Sequence, residues 1–208
     1  ILTHIRHSEK VFNMNRLLLI LILTLSFHTL SKADDIRDFE IEGISIGDSL
    51  LEFATQEEIN ISEDNPSIMI DKSDKDRYII IFLDTMIKEE YERVQITYKI
   101  DDKKYIIHSI DGSIFFPKNL EKCKKKKNIV VDDLKKIFIN IKPRNFQGEH
   151  TADTSGKSKH SSTYFDLSNG TVSVWCTIWS EEMNYDDGLA VTLRSSEYTN
   201  FLQNENKY

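Results

Sequence analysis

Three groups of residues in this 208-residue chain have the types and spacing to do chemistry. They are a serine beside an acid, a pair of cysteines, and a cluster of aromatic and hydroxyl residues near the C-terminus. Ser49 stands in Ile46-Gly47-Asp48-Ser49-Leu50. A serine hydroxyl is a weak nucleophile unless a base within hydrogen-bond reach takes its proton. The same hydroxyl can start a helix instead. Ser49-Leu50-Leu51-Glu52 and Thr55-Gln56-Glu57-Glu58 both have the hydroxyl-x-x-carboxylate spacing of a capping box.

The stretch Gly47-Asp48-Ser49-Leu50 resembles the name-giving motif of the secreted Gly-Asp-Ser-Leu hydrolases. That resemblance implies a doubly wound parallel sheet, Ser49 as nucleophile, a later Gly-x-Asn-Asp block for the oxyanion hole and an Asp-x-x-His block for acid and base. Neither block occurs here: the residues three before His108, His150 and His160 are Tyr105, Gln147 and Lys157. The helix cap is therefore the preferred reading and no catalytic residue is assigned. An exported serine esterase using Ser49 stands as the alternative function.

The cysteines point at each other. Val172, Val174, Cys176 and Ile178 alternate along one apolar strand face. Cys123 lies in the apolar stripe Leu120, Cys123, Val130, Val131, Leu134, Ile137, Phe138 and Ile141 of a long helix. Two core-facing cysteines in an exported chain predict a helix-to-sheet disulfide, Cys123–Cys176. No Cys-x-x-Cys pair and no His or Cys spacing for zinc is present, so no metal or cofactor is expected. Glu181, Glu182, Asp186 and Asp187 lack the alternation of a calcium loop and read as solvated charge.

The strongest local signal is Thr163–Ser168, Asn169-Gly170, then Thr171–Trp179. Asn-Gly between alternating runs predicts a hairpin whose two turn residues take positive φ. That register sets Tyr164 opposite Trp175, Phe165 opposite Val174 and Leu167 opposite Val172. The face away from Cys176 then carries Tyr164, Asp166, Ser173, Trp175, Thr177 and Trp179. Tyr164, Asp166, Trp175 and Trp179 are the candidate ligand-binding residues, a platform for stacking on a sugar or on a partner's surface. Cross-strand pairing, or cover by the 144–162 segment or the C-terminus, is the structural alternative.

These groups need elements to position them. Residues 39–46 read as extended, 62–66 as a turn and 77–84 as a central strand. Residues 93–100 and 105–110 read as a hairpin, with a second turn at Asp111-Gly112-Ser113 and a short strand at 114–116. The apolar stripe predicts a helix over roughly 119–140, started by Asn119 and stopped by Pro143, with the lysine run 124–127 mostly on its wet face. Residues 144–162 read as a polar surface loop, 189–193 as a strand and 197–202 as a short final helix. The fold class is α+β: a mostly antiparallel sheet with one long amphipathic helix packed on one face.

Met14 to Ala33 reads as a cleaved signal peptide, with Arg16, an apolar run from Leu17 to Phe27, and Ser31 and Ala33 before the cut. The run is too short to cross a bilayer as a helix, so no stable membrane insertion is expected after cleavage. Residues 1–33 form the leader and 34–208 a single globular domain. The leader's net +3 moves the chain's charge from −7 to −10 on removal. An acidic exported domain argues against nucleic acid, whose phosphates need clustered cations. Glu42-Gly43-Ile44-Ser45-Ile46-Gly47-Asp48-Ser49, the apolar hairpin, a Cys-bearing helix and Val174-Trp175-Cys176-Thr177-Ile178-Trp179 together resemble uncharacterised exported α+β proteins of marine bacteria with AT-rich genomes. That resemblance brings no catalytic residue; the signal peptide implies an exported protein, periplasmic in a Gram-negative cell and otherwise secreted. The expected function is a non-enzymatic binding module for a protein, small-molecule or glycan partner.

Overall fold

A computed structural model of the chain describes residues 34–63, 67–70, 77–82 and 90–205. The leader, positions 64–66 of the expected turn and the end of the strand expected over 77–84 lie outside the described residues. The elements are β1 (Glu40–Ile41), β2 (Ile44–Ser45), α1 (Gln56–Glu63), β3 (Ser67–Ile70), β4 (Arg77–Phe82), β5 (Arg93–Lys99), β6 (Ile107–Phe115), α2 (Leu120–Ile137), β7 (Arg144–Glu149), β8 (Lys159–Asp166), β9 (Gly170–Ile178), β10 (Gly188–Ser195) and α3 (Ser196–Glu205). Strands β3 to β10 form one eight-stranded sheet in the order β3-β4-β5-β6-β10-β9-β8-β7. All its pairs are antiparallel. Two four-strand meanders meet at β6 and β10, and α2 connects them. The architecture is α+β.

Strand alternation separates two faces. Ile79, Ile81, Val94, Ile96, Ile110, Val172, Val174, Leu189, Val191 and Leu193 are buried in the main core. The N-terminal segment (Ile36, Phe39, Ile41, Leu50), Ile59 of α1 and the buried residues of α2 close that face. Helix α2 packs on β9 and β10. It starts at Asn119, whose side chain accepts the Lys122 N–H, and it ends at Phe138, whose N–H donates to the Leu134 carbonyl, before Pro143. Cys123 and Cys176 are joined, sulfur to sulfur at 2.09 Å, as their shared core facing implied. The opposite face is covered at the β4 end, where Tyr198 and Phe201 of α3 pack on Tyr78.

The structure corrects several readings. Residues 144–162 are not a plain loop: they hold edge strand β7 and the start of β8. An edge strand with both sides near solvent carries polar residues at most positions, which hides its alternation. Asp111-Gly112-Ser113 is no turn but the middle of β6, since Asp111 is buried and the Tyr91 ring lies over Gly112, 2.6 Å from where a Cβ would stand. Strand β4 is second from the edge and not central, because the four residues of β3 pair beyond it. Residues 39–46 form two two-residue strands joined at Glu42-Gly43, both at positive φ. Lys127 departs from the wet lysine face and is buried against β8.

The 163–179 hairpin forms with a register two residues from the expected one. Tyr164 pairs with Ser173, Phe165 with Val172 and Ser162 with Trp175. Leu167 N–H donates to the Gly170 carbonyl at 2.8 Å, so Ser168-Asn169 is the turn, and the positive-φ residues of the structure do not include Asn169 or Gly170. The physical reason is tertiary. Asn169 Oδ1 accepts the Ile36 N–H and its Nδ2 donates to Asp35, tying the turn to the N-terminal segment. Gly170 is needed for close approach: a Cβ there would stand 2.5 Å from the Arg194 carbonyl oxygen. A slip of two leaves every side chain on its face, so the aromatic face survives the correction.

Candidate ligand-binding cleft

Ser49 is a cap. Its Oγ donates to the Lys104 carbonyl at 2.7 Å and accepts the Leu51 N–H at 3.3 Å, one residue earlier than a full capping box. Neither partner is a base. Thr55 and Glu58 do form the reciprocal box, with Glu58 accepting the Thr55 N–H at 2.8 Å and Thr55 accepting the Glu58 N–H at 3.2 Å.

A cleft of about 350 Å³ opens on the sheet face away from the disulfide, over β7, β8, β9 and β10. Its cause is a size contrast along the strands. Ser173 is small and buried, and it lies among Tyr164 of β8, Trp175 of β9 and Arg194 of β10. Phe146 of β7 forms the outer wall, folded back over Gly148. His150, Thr151, Glu149 and His160 close the far end. The volume is that of a small-molecule site at the lower end of the usual range.

The walls are fixed from behind. Trp175 Nε1 donates to Thr192 Oγ1 at 3.1 Å, and Thr192 Oγ1 donates to Asp111 Oδ1 at 2.5 Å. Asp111 also accepts from Ser109 Oγ at 3.2 Å. Burial pushes the Asp111 carboxyl above its ordinary range, against the opposing pull of Arg194 and the two hydroxyl bonds. The Arg144 guanidinium holds Asp166 at 2.5 Å and lies over the Tyr164 ring, 5.2 Å from its centroid. His160 Nδ1 meets Thr177 Oγ1 at 2.7 Å. Burial is the main cause that lowers His160 to about 4, aided by repulsion from His150 where that ring is protonated and by the Lys127 charge. Burial likewise lowers His150. Both imidazoles are therefore neutral at pH 7 and add polar, uncharged edges to the cleft.

A turn builds the end wall. Asp153 accepts the Ser158 N–H at 2.9 Å, Ser158 Oγ at 2.6 Å and the Ser155 N–H at 2.9 Å, closing the chain between β7 and β8. These bonds hold its carboxyl far below the usual carboxylate range. The His150 ring reaches from this turn to His160, with centroids 5.0 Å apart, and to Trp179 at 4.3 Å.

Of the four residues expected on one platform, the structure brings Tyr164 and Trp175 to the cleft. Asp166 is on the same face but is occupied by Arg144. Trp179 sits past the end of β9, between His150 and Tyr185. The C-terminal helix covers the β4 end and not the tryptophans. Phe146, His150, His160 and Arg194 were not singled out from the sequence. Phe146, His150 and His160 lie in the segment read as loop, though Phe146 is in phase with Arg144 and Gly148. Arg194 lies two residues beyond Thr192 on its strand, a spacing that marks a shared face.

The acidic segment is matched by cations: Glu181 with Lys118 at 2.8 Å, Asp186 with Arg93 at 2.8 Å, and Glu182 with Lys157. Among the described residues no cluster of His, Cys, Asp and Glu could hold a metal ion, and no helix is long and apolar enough to cross a membrane.

Fold and site define an α+β protein with a helix bonded to one sheet face and an aromatic cleft on the other. No family model, curated protein or solved structure matches the chain.

Proposed function

We propose that the chain is an exported binding protein that takes a small saccharide-class ligand in the Ser173 cleft. One observation carries this reading: the cleft has aromatic walls (Tyr164, Trp175, Phe146) and a hydroxyl floor, and its walls are held by bonds that do not depend on a ligand. Aromatic faces pack the C–H faces of a sugar ring, while hydroxyl and imidazole groups take its hydroxyls. Preformed walls lose little side-chain freedom on binding. The signal-like leader and the disulfide support export, because disulfides persist in oxidising compartments.

The chain has two tryptophans, Trp175 and Trp179, one in the cleft and one against its end wall, so their emission reports on occupancy. The test is a glycan array followed by fluorescence titration of the hits. Ser173→Leu fills the floor and is expected to remove binding while leaving the unfolding midpoint close to wild type. An array without hits, or binding untouched by Ser173→Leu, overturns the reading.

A further inference from the structure

The charges around the cleft do not balance. Glu149 is matched by Lys159 at 3.6 Å, and Asp166 by Arg144. Among the described residues Arg194 lacks such a match. Its Nε is buried without a hydrogen-bond partner, and its guanidinium rests over the Tyr198 ring, 5.6 Å from the centroid. The carboxyl whose charge it feels is Asp111, already bonded to Thr192 and Ser109 and pushed by burial toward its neutral form. A guanidinium stays charged in a protein. A half-buried guanidinium with no ion-pair partner among the described residues gains from an acceptor that reaches its outer N–H groups. The two neutral imidazoles at the opposite end offer no competing charge.

We propose that the cleft's ligand is an acidic sugar, its carboxylate on the Arg194 guanidinium and its ring against Trp175 and Tyr164. This rests on the saccharide reading above and adds the ligand's charge. The guanidinium fork matches a carboxylate in two parallel hydrogen bonds. Arg194 pairs along the sheet with Thr171, and His160 with Thr177, six residues further along β9. At about 3.4 Å per residue that is roughly 20 Å. Since long side chains close in from both ends, the span suits one or two sugar rings.

The experiment uses matched disaccharides of gluco-, galacto- and manno-configured uronic acids, each as free acid and as methyl ester, with the full chain and tryptophan fluorescence as readout. The pair differs in charge and keeps the ring. The acid is expected to bind at least about tenfold more tightly than its ester in one configuration. That preference should shrink with added salt, vanish in Arg194→Gln and persist in part in Arg194→Lys. Acid and ester binding alike in the wild-type chain overturns the charge assignment and leaves the saccharide cleft standing. No binding by any acid or ester, with neutral glycans bound on the array, also overturns it. No binding by any sugar overturns both. The wild-type comparison decides the matter even if an Arg194 variant fails to fold.

Discussion

Lys127 of α2 donates to Ser161 Oγ of β8 at 2.9 Å, one helical turn after Cys123, and Ser161 is the cross-strand partner of the Cys176 bonded to that cysteine. The helix is thus tied to neighbouring strands by a covalent link and, four residues on, by a buried ammonium. Burial is the first cause that lowers the Lys127 pKa below 10.5, and the like charge of Lys124 adds to it.

Lys127 should therefore weaken the fold at neutral pH. Its folded-state pKa is depressed, so the charged form is disfavoured on folding. That penalty is complete below the folded value and disappears as pH rises toward 10.5. The double variant Lys127→Met, Ser161→Ala removes the cation and the hydroxyl together. It is expected to be more stable than wild type by about 1 kcal/mol at pH 7, with the gap closing by pH 10. Urea midpoints at the two pH values check this. A gap that widens with pH contradicts it.

Removing the Cys123–Cys176 link frees a loop with a sequence separation of 53. The chain-entropy relation gives about 4 kcal/mol for a loop of that length. Cys123→Ala, Cys176→Ala should lower the unfolding free energy by about that amount in denaturant titrations. The buried Val131 and Leu134 should keep α2 seated on the sheet, so far-UV circular dichroism of the native state should be unchanged.

His160 predicts an acid transition. Its folded-state pKa is about 4 against 6.5 unfolded, so protonation favours the unfolded chain. Stability should fall as pH drops from about 6.5 to about 4 and level off below. His160→Gln should flatten this part of the stability profile. Carbon-detected NMR titration should find the His160 ring neutral at pH 5.5; a ring already protonated there would contradict the prediction.

Gly170→Ala tests the corrected turn. In a turn that needed positive φ at Gly170, Gly170→Asn would be tolerated better than Gly170→Ala. In this turn any Cβ meets the Arg194 carbonyl at 2.5 Å and Ile36 Cβ at 2.7 Å. Both variants should lose about 1–3 kcal/mol, equally within error. Asn169→Ala should also destabilise, through the lost Ile36 and Asp35 bonds.

Local chemistry made much of the fold legible. The stripe around Cys123, the Asn119 cap and the alternation of 171–178 carry their own periodicities. They place α2, β9 and the disulfide because each element puts its apolar side chains on one side, toward the same core. Strand β7 was not legible, because as an edge strand its side chains are largely exposed and no apolar alternation is required of it. The Asp111-Gly112-Ser113 turn reading failed because those residue types favour turns only when nothing larger competes. Here Tyr91 and Thr192 compete.

The sequence alone determined which side chains share a face. Strand period and helix period are local properties of the backbone, so Tyr164 and Trp175 were bound to look away from Cys176 in any register of even slip. Tertiary structure decided what that face became. The N-terminal segment set the hairpin register by hydrogen-bonding Asn169. Pairing of β10 with β9 brought Arg194 beside Ser173, and pairing of β7 with β8 raised Phe146 as a wall. Those neighbours are far apart along the chain, and only the order of strands in the sheet brings their side chains together.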